Sequence, residues 1–157
     1  MAAEMRHAFS GEGILAGSQD FEYRPEQQEM AEAVARALER ERSLVVEAGT
    51  GVGKSLAYLL PAMSYGLDAG RKAVFSTHTI NLQEQLLKKD LPLVRKLLGR
   101  PFQATLLKGR GNYVCPARLK RARQSSGDLF SSSEADELDA IWKWFEGTQD
   151  GTLSDLD

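Results

Sequence analysis

The eight residues Ala48-Gly49-Thr50-Gly51-Val52-Gly53-Lys54-Ser55 leave this chain few folds to choose from. They follow an apolar run, Leu44-Val45-Val46, and open a second apolar stretch of helical pattern from Ser55 to Tyr65. A glycine-rich turn between a strand and a helix lets successive backbone N–H groups and the helix N-terminus point at one anion. Lys54 stands where a compact cation reaches β- and γ-phosphates, and Ser55 where a hydroxyl completes the coordination of magnesium. The run therefore reads as a phosphate-binding loop, with Lys54 and Ser55 in the catalytic positions. Ala48, Gly49, Thr50, Gly51, Val52 and Gly53 join them in the set that holds a nucleotide. Ala48 departs from the strict G-x-x-x-x-G-K-S/T pattern, which has glycine there.

Composition narrows the class further. With 157 residues, 42% apolar and 27% charged, the chain has the balance of a soluble globular domain and not of a disordered or fibrous one. No apolar run approaches the roughly 20 residues of a membrane span, and Met1 to Ser10 lacks the hydrophobic centre of a signal peptide. A cytoplasmic protein without a membrane partner is expected. Cys115 is the single cysteine, which excludes an intrachain disulfide framework. The net charge of −2 conceals an asymmetry: residues 1–123 carry 19 Lys or Arg against 13 Asp or Glu, and residues 124–157 carry one against nine. Lys108, Arg110, Arg118, Lys120, Arg121 and Arg123 meet no acid between them. Such a stretch suits a phosphate backbone, although on charge alone a solvated helix face is the commoner explanation.

Along the chain, Pro25 with Glu26 predicts a helix entry at Arg24 and a helix running to about Arg42, with Met30, Val34, Ala37 and Leu38 on one face. Leu44–Val46, Lys72–Thr77 and Phe102–Leu107 read as strands, the first of them buried. Helices alternate with these strands, one kinked at Pro61 and one carrying Leu82, Leu86 and Leu87. The alternation predicts an α/β fold with a parallel sheet and right-handed crossovers. Residues 124–128 and 131–133 read as connections, and Ser131 with Glu134 as a capping box for a helix ending near Gly147. Trp142 and Phe145 share the inner face of that helix; core burial explains them better than base stacking.

Several of these segments resemble one family. The A-x-T-G-x-G-K-S loop is similar to the first motif of superfamily-two helicases. Phe9 to Arg123 as a whole resembles the N-terminal part of the bacterial DinG-like helicases, relatives of the XPD-type iron-sulfur DNA helicases. Phe21-Glu22-Tyr23-Arg24-Pro25-Glu26-Gln27 looks like the family's segment ahead of the loop, which implies adenine recognition by Arg24 and Gln27. An amide offers adenine a donor and an acceptor together, which makes Gln27 the sharper candidate. Ser76-Thr77-His78-Thr79-Ile80-Asn81-Leu82-Gln83 resembles the motif that binds single-stranded DNA, implying that role for Ser76, Thr77, Thr79 and Gln83. Without the resemblance, Ser76 to Thr79 reads as a strand end and helix cap, and His78 carries no signal. Lys108-Gly109-Arg110-Gly111-Asn112-Tyr113-Val114-Cys115-Pro116 looks like the entry to the family's iron-sulfur domain. That likeness implies Cys115 as the first ligand of a four-iron cluster where the cluster is retained; a buried structural cysteine is the other reading.

The resemblance implies a RecA-like P-loop NTPase sheet with flanking helices, incomplete here, followed by the start of an inserted helical iron-sulfur region. Residues 1–20 become a lead-in, 21–110 the first part of motor domain one, and 111–157 the start of the insertion. The implied parent is an ATP-dependent DNA helicase moving 5′ to 3′ on single-stranded DNA and its duplex junctions in repair or replication. It uses ATP and Mg2+, with the iron-sulfur cluster belonging to the parent only. Arg118, Lys120 and Arg121 join the nucleic-acid set. Phosphoryl transfer also needs a second acidic motif. Glu47 lies on the strand that feeds the phosphate loop and Asp90 follows a helix, so neither has the context of the family's Asp-Glu-Ala-His motif; that motif and the second motor domain are expected further along the parent. The 157 residues alone are expected not to hydrolyse ATP. A small P-loop kinase or transferase, and a non-catalytic nucleotide- or DNA-binding module, remain open as rivals.

Overall fold

A computed structural model describes residues 1–17, 22–125 and 131–156. The chain divides into two compact units, Met1–Leu106 and Leu107–Asp157.

The first unit is a helical cluster. Helix α1 (Ala2–Ala8) packs on α2 (Pro25–Glu39), α2 on α3 (Lys54–Ala69), and α3 on α5 (Leu91–Leu98). Pro25 sits at the start of α2, where a missing N–H costs nothing. The predicted end near Arg42 falls three residues too late. Helix α3 starts at the phosphate loop, keeps Pro61 buried within it, and ends on Gly70 in the left-handed region. Met5, Phe9, Leu15, Ala31, Ala35, Ala57, Leu59, Leu60, Leu86 and Val94 form the core. Helix α4 (Ile80–Gln85) runs through a wide π turn (Leu86–Asp90) into α5. Pro92 follows that turn; the widening relieves the clash its ring makes with a carbonyl one turn back.

The predicted parallel sheet is not formed: no strand ladder occurs among the described residues. Residues 44–46, 72–77 and 102–107 are extended without partners. Phe75 and Phe102 pack against the core and hold the second and third of these segments to the helices. Val45 is 97% exposed, Val74 90% and Leu107 80%. Leu44–Val46, expected as a buried strand, is exposed and forms no ladder among the described residues. An apolar run becomes a strand only when another segment lies alongside it, which local pattern does not specify.

The second unit holds α6 (Pro116–Gln124) and α7 (Ser132–Gly147), which pack on each other. Ser131 and Glu134 close the predicted capping box, and the helix ends at Gly147 as the sequence implies. Trp142 and Phe145 are half-buried, their rings 5.9 Å apart. The ends of the unit are clasped: Tyr113 bridges Thr152, the Val114 N–H donates to the Gly151 carbonyl at 2.9 Å, and Lys108 Nζ donates to Ser154 Oγ at 2.7 Å. The predicted connections at 126–128 and residues 18–21, including Phe21 of the segment before the loop, lie outside the described residues.

Candidate functional site

The loop turns on two glycines in the left-handed region, Gly51 at φ 82° and Gly53 at φ 79°. An L side chain there is strained, which is the physical content of the glycine spacing. Gly53 caps α3 and has no side chain to bond the helix's first N–H groups. Those orphan donors, with the helix dipole behind them, are the chemistry an anion needs. Lys54 is exposed at the first helical position, its Nζ donating to the carbonyls of Ala48 at 3.1 Å and Gly49 at 2.6 Å. Its ammonium therefore lies over the loop backbone. Ser55 follows, half-buried, in the first turn of α3.

The entry of α2 is fastened to this loop. The Arg24 guanidinium donates to the Gly51 carbonyl and, at 2.8 Å, to Glu22. One turn on, buried Gln27 donates its amide nitrogen to the Gly53 carbonyl at 2.9 Å. A Cβ on Gly53 would meet that nitrogen at 2.3 Å. The two residues named for adenine thus grip the two turning glycines. Their i, i+3 spacing on one helix face is the signal that links them, but the loop contact itself spans 26 and 27 residues and has no local signature. Behind the grip, buried Glu32 accepts from Arg6 at 2.7 and 2.8 Å and from Arg36 at 2.9 Å, tying α1 to α2. The Arg6 hydrogen bonds, aided by Arg36, hold the Glu32 carboxyl below the usual range.

The residues of the second motif are placed less decisively. Thr79 caps α4, its hydroxyl accepting from the Leu82 N–H at 3.3 Å, and Thr77 donates to the Thr79 carbonyl at 3.1 Å. Ser76 is exposed and Gln83 half-buried. Phe75 leads into this segment with its ring 5.8 Å from Tyr58 of α3, three residues after Ser55, a contact sequence reading did not find.

In the second unit the basic run is sorted by burial. Lys108 is buried in the clasp and leaves the surface, whereas Arg118, Lys120 and Arg121 are exposed on α6. Cys115 is exposed at the cap of α6, not buried. The backbone N–H of Arg118 pulls its thiol below the ordinary value, with Ala117 N–H and the charges of Arg118 and Arg110 assisting. A four-iron cluster takes four cysteine thiolates, and this sequence holds one. Its own residues do not make a cluster site, and no group of three or more metal-ligating side chains occurs among the described residues. Nor is any described helix long and apolar enough to cross a membrane.

The DEAD/DEAH box helicase pattern matches residues 24–110, from the arginine that grips the loop to the end of the extended segments. The chain belongs to the DEAD/DEAH box helicase family. It is 40% identical over 153 residues to the ATP-dependent DNA helicase YoaA of Haemophilus influenzae, covering 97% of this chain and 23% of that protein. It is 54% identical over 105 residues to the ATP-dependent helicase DinG of Mycobacterium tuberculosis, covering 64% of this chain and 16% of that one. A protein named 3′-5′ exonuclease DinG from Staphylococcus haemolyticus is 36% identical over 135 residues, 85% of this chain and 15% of its own length. The chain therefore spans under a quarter of the length of these relatives, and membership in this helicase family implies the P-loop NTPase fold.

Proposed function

We propose that this chain is the ATP-binding front part of motor domain one of a DinG-like DNA helicase that moves 5′ to 3′ on single-stranded DNA at duplex junctions. The observation that carries the reading is the fastening of Arg24 and Gln27 to Gly51 and Gly53 beside an uncapped helix start. The donor set fits Mg-ATP: backbone N–H groups and Lys54 for the phosphates, the Ser55 hydroxyl for magnesium. Bound there, magnesium would neutralise charge on the phosphates. Arg24 and Gln27 would recognise the adenine, the Gln27 amide oxygen serving as acceptor for N6. Residues 21–110 would form the first part of the motor, after a lead-in at 1–20. The segments 44–46, 72–77 and 102–107 would be strands of its sheet. Residues 111–157 would begin the inserted region, with Cys115 its first ligand where the cluster is kept.

Single-stranded DNA would meet Ser76, Thr77, Thr79 and Gln83 in one unit and Arg118, Lys120 and Arg121 in the other. A fluorescent ATP analogue with Mg2+ should bind the 157-residue chain and be lost in Lys54→Ala. The chain alone should show no turnover. A wild-type chain that does not bind the analogue, or hydrolysis that Lys54→Ala abolishes, would refute the respective half.

A further inference from the structure

The two helices of the second unit are oppositely charged. Helix α6 carries Arg118, Lys120, Arg121 and Arg123 with no acid, and α7 carries Glu134, Asp136, Glu137, Asp139 and Glu146 against Lys143 alone. Among the described residues, Arg123 of α6 reaches two side chains of α7. Arg123 Nε lies 3.6 Å from Asp139 Oδ1, and the guanidinium carbon lies 4.5 Å from the centre of the Trp142 ring. That ring is itself held, its indole N–H donating to Glu146 at 2.7 Å and its face tilted against Phe145. At 3.6 residues per turn, Arg123 lies toward the side of α6 that carries buried Leu119, its side chain still 47% exposed, whereas Arg118 and Arg121 lie farther round the helix.

We infer that α7 is a built-in competitor for the nucleic-acid face of α6: Asp139 and Trp142 hold Arg123 as a fourth phosphate contact, which single-stranded DNA gains only by displacing them. The inference rests on the reading of α6 as a DNA-binding face. A carboxylate and a phosphate are the same kind of partner for a guanidinium. The existing hold is an ion pair and a ring face at a partly exposed site, both weak there. A polyanion that releases counterions on binding competes well against it. Three contacts then suffice for first attachment, and the fourth is added only once the strand lies across the end of α6 nearest α7.

The test is fluorescence anisotropy of labelled oligothymidylate with the 157-residue chain over a series of salt concentrations. Asp139→Asn should tighten binding and steepen the slope of log affinity against log salt by about 0.7, the value for one added phosphate contact on a single strand. Trp142→Leu should act in the same direction. Arg123→Gln should change little in the parent chain but cancel the gain in the Asp139→Asn background, with circular dichroism confirming unchanged helix content throughout. Unchanged slopes in both Asp139→Asn and Trp142→Leu would overturn the inference. So would an Arg123→Gln loss in the parent as large as that of Arg121→Gln, because Arg123 would then already be in contact. The triple variant R118Q/K120Q/R121Q separates the two levels. If it keeps the parent slope, the DNA-binding reading of α6 itself fails; if it flattens the slope while α7 variants do nothing, only the competition fails.

Discussion

The loop at 48–55 and the outer arc of α6 are both suited to phosphate, but they are built from different material. The loop uses backbone: two glycines at positive φ aim N–H groups, and side chains from α2 hold carbonyls in place. Helix α6 uses exposed side-chain cations on a regular backbone. A backbone site is all-or-none, because one wrong dihedral turns several donors at once. A side-chain site is graded, because each cation acts nearly alone.

The most severe way to break the loop is Gly53→Ala. The left-handed φ and the collision with Gln27 together should cost at least ~2 kcal/mol, roughly thirtyfold in ATP-analogue affinity. Adding Gln27→Ala relieves the collision and not the dihedral, so partial recovery in the double variant would show that both terms operate. A comparable loss in global stability is expected at the base of the grip. Glu32→Gln leaves Arg6 and Arg36 without their acid, at about 2 kcal/mol, a value below that of a fully buried pair because Arg6 is solvated. Because the folded carboxyl titrates below its ordinary 4.5, its stabilisation is complete above that value and fades as pH falls through the lowered one. Urea midpoints for the parent chain should therefore drop more steeply on acidification than those of Glu32→Gln.

Gln27→Ala alone removes one hydrogen bond to the loop and should weaken nucleotide binding about tenfold, read from the same titration. On α6 the change should be smaller: Arg121→Gln should reduce the salt slope of single-stranded DNA binding by about 0.7 and leave ATP-analogue affinity alone. A total loss of DNA binding from that one change would contradict the graded picture. The smallest effect concerns Cys115. Its alkylation by iodoacetamide should have a pH midpoint below the ordinary thiol value of 9.0, and Arg118→Ala should move it only part of the way back because the backbone N–H remains.

Local chemistry was legible wherever a short stretch of chain decides its own conformation. Pro25 opens α2, Ser131 and Glu134 cap α7, and the loop turns on Gly51 and Gly53 at positive φ. Residues 44–46, 72–77 and 102–107, expected as a paired sheet, form no ladder among the described residues, because β pairing depends on neighbours that no window of ten residues contains. The basic run between 108 and 123 was legible as charge, but burial removed Lys108 from it and α7 took Arg123.

Sequence by itself determined the glycine turn, the starts of α2 and α3 and both ends of α7, because torsional preference and capping are properties of adjacent residues. Only tertiary structure decided that Arg24 and Gln27 grip the loop across 27 and 26 residues. It also decided which cations of α6 face outward. Both are matters of which surfaces come together, and hydrophobic burial sets that for the chain as a whole.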